Sequence, residues 1–488
     1  MNNHPTGSRV AAGGSLRGEP TGRLRIVQDP LRLLLFALTI LTVSRVHQHY
    51  PLLMKARPAL LLVIGTTAYA YLNPRYLTTT NVLKSWPMKL VTLLGVLACC
   101  SAVFGISLGR TASFILDNYI KVLVYAFLLA VAIRWASDLY TFVWAYVIGC
   151  AILAYFSLFV FGITKASNND VARLAHLYTY DANDLGVIMI IGLPLTLLLM
   201  TCSQGIKRLM LLATLGGIAA TIARSGSRGA FIGFVAVAAA AMLLANSVSA
   251  GRRVSILVGT FIALALGAPT GYWKQMSTVM SPKEDYNYST RDGRKALAER
   301  GVGYMMQYPV FGLGMDNFSR AECTISPKLV ELDRSGPIRC TAPHNSYVQA
   351  GSELGFPGLL AWIALVVGGV VCGFSLRRRL PRTWRRGTDA ERFMYGATTY
   401  FPLAMIGFAV TAFFVSFAWM EPLYILSAFT TGLYTALRQH SVAHAGVPAS
   451  GGLPASTAPP RGIPGWRVAW SAQRLADRST IRHAEFRV

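Results

Sequence analysis

The feature that most constrains this chain is the recurrence, from residue 31 to residue 437, of apolar runs long enough to cross a lipid bilayer. A helix of ~18–20 apolar residues matches a hydrocarbon core about 30 Å thick. Water does not reach the backbone there, so peptide groups must pair within the segment itself, which selects helices. A closed barrel would instead show segments of about ten residues alternating in polarity, a pattern this sequence lacks. The expected fold class is all-α, a polytopic membrane protein with about twelve transmembrane helices and one large outer loop. The runs place the spans near 31–46, 58–72, 88–107, 119–136, 139–163, 185–203, 208–222, 230–248, 253–270, 353–374, 394–416 and 420–437.

Basic clusters orient these spans. Lys207 and Arg208 separate the sixth from the seventh, Arg252 and Arg253 the eighth from the ninth, and Arg377, Arg378, Arg379, Arg382, Arg385 and Arg386 the tenth from the eleventh. All three clusters fall on one side, which the positive-inside rule makes cytoplasmic. Both tails then lie there too. The loop carrying Arg45, Lys55 and Arg57 runs against that rule.

Charged residues make up only 14% of the chain, against about 25% in a soluble domain. The net charge of +25 would suggest nucleic acid in a soluble protein. Here the excess lies in tails and short loops, where topology and anionic headgroups account for it. Membrane lipids are expected partners and nucleic acid is not. The tail that precedes the first span carries Arg9, Arg17, Arg23 and Arg25 and is too long for the n-region of a signal peptide, so the first span is expected to be retained.

The resulting organisation is a basic cytoplasmic tail (1–30), nine spans (31–270), a large outer loop (271–352), three spans (353–437) and a tail (438–488). The last is rich in Gly, Pro, Ala and Ser and is expected to be disordered. Long loops concentrate function. Within this one, Leu297, Met305 and Tyr308 recur at helical spacing, which predicts an amphipathic helix over 290–308. Cys323 and Cys340 lie in the same loop and would be able to pair in an oxidising compartment. Cys99, Cys100, Cys150, Cys202 and Cys372 lie in apolar runs and read as small hydrophobes.

Four polar motifs fall on the outer face: RLAHLYTYDANDLG (173–186), ARSGSRGAF (223–231), TRDGRKALAERGVGYMMQYPVFGLGMDNF (290–318) and PHNSYVQAGSELGFPGLL (343–360). In this order and topology they resemble the O-antigen ligase and O-antigen polymerase superfamily. Arg173 with Asp181, Asn183 and Asp184 resembles the family's Arg…Asp-x-Asn element, and Ser227-Arg228-Gly229-Ala230 its Ser-Arg-Gly-Ala turn. Gly293-Arg294 with Tyr308-Pro309-Val310-Phe311-Gly312-Leu313-Gly314 resembles its Gly-Arg…Pro-x-x-Gly-x-Gly element, and His344-Asn345 with Glu353-Leu354-Gly355 its His-Asn…Glu-x-Gly element. One departure is Lys295-Ala296-Leu297, where the family often has Trp soon after the Gly-Arg.

The resemblance implies a GT-C-like fold in the bacterial inner membrane, with the site facing the periplasm. It implies transfer of a glycan from a polyprenyl diphosphate to an acceptor hydroxyl of a glycan, lipid A-core or protein, with no nucleotide sugar. No Cys/His spacing suggests a metal, and no cofactor is expected.

The residues suit that chemistry. A diphosphate leaving group needs fixed positive charge, and guanidinium binds phosphate oxygens through a planar fork. Arg228 stands among small residues at a helix N-terminus, where anions are favoured, and Arg294, Arg173, Arg224 and Arg291 are further candidates for holding the diphosphate. The acceptor must lose a proton, which neutral imidazole accepts near pH 7. His344 is the candidate base, ahead of His176, and Glu353 its candidate support or an alternative base. Asp181, Asn183 and Asp184 read as the cap of the sixth span, and Gly312, Gly314, Gly355 and Gly358 as turn residues. The alternatives are a lipid-linked glycan flippase or transporter, which would place ionisable groups near the midplane, and a non-catalytic assembly protein. Ligase, polymerase and protein-glycosylating members share these motifs, so the acceptor stays open.

Overall fold

The computed structural model describes residues 24–445, apart from 28, 75, 77–81, 166–171, 175–179, 246–247, 282–292 and 328–339. The described helices are α1 Pro30–Ser44, α2 Pro51–Leu72, α3 Trp86–Phe104, α4 Leu108–Ala132, α5 Ala136–Val160, α6 Ala182–Met200, α7 Gly205–Arg224, α8 Arg228–Leu244 and α9 Ala250–Gly267. They continue with α10 Tyr272–Ser277, α11 Arg294–Gln307, α12 Phe318–Thr324, α13 Ser346–Arg379, α14 Asp389–Phe414 and α15 Glu421–Ala445. One two-stranded hairpin, β1 Ile163–Lys165 with β2 Ala172–Leu174, is the described sheet.

The protein is an all-α polytopic membrane protein. A helix stands at each expected span. Nine described helices are long and apolar enough to cross a membrane, and α1 and α8 are shorter apolar helices. α15 is not among either group.

Local chemistry sets the helix starts. Prolines open α1 and α2, where their missing N–H costs nothing. Side-chain oxygens of Asp29, Asp181, Ser227, Asn345 and Thr388 cap α1, α6, α8, α13 and α14. The Asn345 cap starts α13 at Ser346, so the helix begins earlier than the boundary expected at 353. α15 continues to Ala445, past the boundary expected at 437, and the tail expected to be disordered is otherwise outside the described residues.

Residues up to Val442 form one unit, and Ala443–Val488 another, of which only the end of α15 is described. In the first unit α6 is the central helix, with 83% of its apolar window buried against 11% for α9. It packs against α5, α7, α8 and α14. Lipid tails are as apolar as leucine, so close backbone approach drives association within the membrane. A Cβ on Gly186 would lie 2.5 Å from Ala230, one on Gly233 2.5 Å from Thr411, and one on Gly407 2.6 Å from Ile190.

The segment between α9 and α13 has its own small core of Leu297, Tyr304, Met305, Leu313, Phe318 and Ala321, joined by Val348 of α13. α11 is the helix that the spacing predicts; Leu297 and Met305 are buried and Tyr308 packs at the margin. Fully buried Glu322 accepts two hydrogen bonds from Arg300 Nε, at 2.9 and 3.0 Å, and one from Tyr304 Oη at 2.8 Å, locking α12 to α11. Cys323 and Cys340 form a disulfide.

Two distant motifs join this segment to α13. Gly355 breaks α13 in the left-handed region (φ 69) and Pro357 has no N–H, so two carbonyls before the break lose their helical donors. Ser352 O accepts instead from Leu313 N at 2.8 Å and Glu353 O from Gly314 N at 3.1 Å, while Phe356 N donates to Pro309 O at 2.8 Å. Gly312 (φ 69) and Gly314 (φ 95) bend the chain into register, and a Cβ on Gly312 would lie 2.4 Å from the Glu353 backbone. Gly358 departs from the expected turn role: its φ is not positive, and it gives room to Leu354, whose Cβ would lie 2.2 Å from an added Cβ.

Candidate active site

The site is assembled around the turn between α14 and α15. Arg228 opens α8, after a turn in which Gly226 is left-handed (φ 61) and Ser227 Oγ accepts from Ala230 N at 3.2 Å. Its guanidinium donates to Thr278 Oγ1 at 3.0 Å, next to the short α10. The neighbouring Gly229 leaves space for one ring: an added Cβ would lie 2.6 Å from Phe414 Cβ and 2.8 Å from Phe414 Cγ. The same ring has Arg294 as a neighbour, the first residue of α11, whose guanidinium carbon lies 5.7 Å from the Phe414 centroid. Phe414 thus packs on the turn that carries Arg228 and meets the Arg294 guanidinium.

His344 reaches the same turn. Its N–H donates to Ser416 Oγ at 2.9 Å. Its backbone is left-handed (φ 47), a conformation costing about 1–3 kcal/mol for a residue with a side chain and often found at functional sites. The next residues hold it there. Asn345 Oδ1 accepts from Tyr347 N and Val348 N, and Ser346 Oγ donates to Val415 O at 2.8 Å and accepts from Phe417 N at 2.9 Å. Burial lowers the imidazole pKa below its usual value, the Arg294 charge lowers it further, and the Asp181 charge acts the other way. The ring is therefore neutral at pH 7, with Arg294 and Asp181 both within electrostatic reach.

Asp181, Asn183 and Asp184 cap α6 as expected: Asp181 Oδ1 accepts from Asn183 N at 2.6 Å and Asp184 N at 2.8 Å, and Asp184 Oδ2 accepts from Asp181 N at 3.0 Å. The Tyr180 ring lies 6.5 Å from that of Phe417, which brings this cap beside the His344 turn.

Glu353 is placed differently from the expectation that it supports His344. Its Oε2 accepts from the Trp419 indole at 2.6 Å and its Oε1 from Phe318 N at 3.4 Å, with the side chain fully enclosed. Among the described residues it makes no contact with His344. The physical reason is helical phase. Ser346, Gln349 and Glu353 form one stripe of α13, and all three bond the same turn, Gln349 Oε1 accepting from Ala418 N at 3.1 Å. His344 precedes that helix and is not on the stripe.

Two of the other candidate arginines are among the described residues. Arg224 ends α7, where Nη2 donates to Phe161 O at 3.4 Å. Arg173 is half-buried on β2, opposite Thr164, with no described contact to Arg228, Arg294 or His344. Arg291 and His176 are outside the described residues. Among the described residues no cluster of His, Cys, Asp or Glu is arranged to hold a metal.

Sequence reasoning missed Phe414 and Ser416, for an apolar TAFFVSF run gives no polar signal. It also left Arg45 unexplained. Arg45 is no loop charge: it is buried at the end of α1, its Nη2 lies 3.4 Å from Glu421 Oε2, and its guanidinium stacks 4.1 Å above the Tyr180 ring. The cation is held inside the protein by an acid and an aromatic face, so it escapes the topological bias on loops.

Fold and site together define a polytopic membrane protein whose polar chemistry is gathered at one end of its helices. The family model described as O-antigen ligase matches residues 209–363, from within α7 to the middle of α13. Over this segment the chain is similar to O-antigen ligases, which supports the O-antigen ligase and polymerase superfamily and a general ligase or polymerase role in polysaccharide assembly. The matched segment contains Arg228, Arg294, His344 and Glu353, whereas Arg173 and the α14–α15 turn lie outside it. No curated protein matches the chain.

Proposed function

We propose that the chain transfers a glycan from a polyprenyl diphosphate to an acceptor hydroxyl at the periplasmic face of the bacterial inner membrane. The carrying observation is a half-buried His344 within electrostatic reach of Arg294, with Phe414 in contact with Arg294 and packed on Gly229, the residue after Arg228. In this reading an imidazole nitrogen of His344 takes the acceptor proton as the acceptor oxygen bonds to the sugar anomeric carbon. The bond from that carbon to the diphosphate oxygen breaks, and the electron pair leaves with the diphosphate. Arg228 and Arg294 hold the charge that develops there.

Asp181 offsets part of the Arg294 field on His344, and Glu353 is a positioning residue that fixes the α14–α15 turn. Arg173, Arg224 and Arg291 are assigned to the approach of the donor. The basic clusters favour a cytoplasmic location for both termini, and a disulfide in the outer segment suits an oxidising compartment.

The test uses purified protein in detergent with a polyprenyl-diphosphate oligosaccharide as donor. Lipid A-core and further lipid-linked oligosaccharide are offered as acceptors to wild type, His344→Ala and Arg228→Ala. Transfer by wild type alone is the expected result, and the acceptor used separates ligase from polymerase. Transfer that survives both substitutions would overturn the site assignment. Failure of folded wild type with both acceptors would move the reading to a protein acceptor.

A further inference from the structure

Toward the end of α8 away from Arg228 an apolar pocket lies between the helices, open at one side, its roughly 540 Å³ of empty space counting the open space at its mouth. Phe234, Val237 and Ala241 of α8 line it together with Leu193 of α6, Leu257 of α9 and Tyr400 of α14. α8 has 17 residues and is about 25 Å long at ~1.5 Å per residue, and the cavity runs from Phe234 past its far end to Val248, away from the candidate active site.

The charged residue lining the cavity is Arg253, in the first turn of α9, whose guanidinium also donates to Met242 O at the end of α8. More cations converge there. α7 and α9 run parallel, and two close approaches fix their register: a Cβ on Gly216 would lie 3.9 Å from Ala263 Cβ, and one on Gly267 2.5 Å from Ala220 Cα. Carried back along both helices, that register sets Lys207 and Arg208 level with Val254 and Ser255, within a turn of Arg252 and Arg253. Lys207, Arg208 and Arg252 are exposed. α7, α8 and α9 contain no Asp or Glu to neutralise them.

Topology alone explains basic residues at a cytoplasmic boundary. It does not explain an apolar cavity lined by one of them, Arg253, with three more at the same level of the helices. We propose that the cavity is a binding site for an acyl chain of an anionic phospholipid whose phosphate is held among Lys207, Arg208, Arg252 and Arg253. The cavity supplies room for a flexible chain, and the basic rim discriminates by headgroup charge. The occupant is drawn from the leaflet facing away from the candidate active site, so the proposal is independent of the transfer reaction.

The experiment measures thermal unfolding of the delipidated full chain in detergent during titration with phosphatidylglycerol, phosphatidylethanolamine or glycerol 3-phosphate. A ligand that binds only the folded state raises Tm with a saturable dependence. Phosphatidylglycerol is expected to do so, phosphatidylethanolamine to do so weakly, and glycerol 3-phosphate, which has no chain, not at all. Ala241→Trp, which fills the cavity, and the surface pair Lys207→Ala with Arg252→Ala are each expected to reduce the phosphatidylglycerol shift. The surface pair makes no internal contact on which folding depends, so it serves if the tryptophan variant does not fold. Equal shifts with both phospholipids, or an undiminished phosphatidylglycerol shift in the surface pair, would overturn the proposal.

Discussion

The Trp419 indole N–H donates to the Glu353 carboxylate over 2.6 Å, tying the turn after α14 to the first helical segment of α13. Leaving one buried partner of such a bond unsatisfied costs about 1–3 kcal/mol, and more for a charged group. Glu353→Ala is therefore expected to lower Tm and to reduce transfer with no movement of the pH profile. Glu353→Gln, which keeps an acceptor oxygen, should restore much of both. A shifted pH profile in the Gln variant would instead make Glu353 the base. Thermal unfolding and rate–pH curves on the same preparations decide this.

The pH profile of transfer is expected to have an acid limb below about 6.5, the ordinary histidine pKa, because burial and Arg294 lower the His344 value. The sign follows from the base role: rate is lost as pH falls and His344 becomes protonated. Residual activity of Arg294→Gln should show the limb displaced upward, and Asp181→Asn should show it displaced downward. The same shift makes stability rise with pH through this window, since the unfolded chain binds the extra proton there. A limb that stays in place in both variants would separate His344 from the proton transfer.

Gly229→Ala is expected to cost at least tenfold in transfer, equivalent to about 1.4 kcal/mol. The new methyl would lie 2.6 Å from Phe414 Cβ and 2.8 Å from its Cγ and would displace the ring beside Arg294. Adding Phe414→Ala, which removes Cγ and the ring, should recover part of the loss by making room, though not the contact with Arg294. Initial rates of the single and double variants measure the coupling.

Arg228→Lys is expected to weaken transfer nearly as much as Arg228→Ala, since an ammonium cannot reproduce a planar fork on phosphate oxygens. The effect should fall on kcat as well as KM if the guanidinium meets the charge that forms on the departing diphosphate. Steady-state kinetics with a water-soluble short-chain donor would report the division.

Replacing both Cys323 and Cys340 by Ser is expected to destabilise the outer segment. Their sequence separation is 17, and closing a loop of about 15 residues accounts for roughly 3 kcal/mol. Glu322, bonded by Arg300 and Tyr304 immediately before Cys323, keeps α12 docked on α11 in the absence of the crosslink. Limited proteolysis under reducing conditions should therefore cut within 325–340 before it cuts α11.

Helix positions were legible because each span must satisfy its backbone alone, so hydropathy and local caps carry the information. Asp181 shows this, for its capping role follows from residues within three positions of it. Arg228, Arg294 and His344 stand out in the sequence by chemical type alone. Phe414 and Ser416 do not, for they meet these residues only when α14 ends against α8 and α13. The surroundings of Glu353 depend on its position around the helix, which its distance from His344 along the chain does not reveal. The i, i+3, i+7 stripe of Ser346, Gln349 and Glu353 was available as a signal, and it points to the turn that receives all three. Arg45 was opaque because Glu421, its acidic partner, lies at the other end of the sequence.

The stitching of Pro309, Leu313 and Gly314 onto Ser352, Glu353 and Phe356 makes two short stretches heritable only as a pair. A hybrid that takes α13 from a distant relative while keeping the native 309–314 would pair carbonyls and amides set for different partners. Swapping both together would preserve the seam. Exchangeable parts in this protein are therefore defined by what is sewn together across the break at Gly355, not by where one helix ends and the next begins.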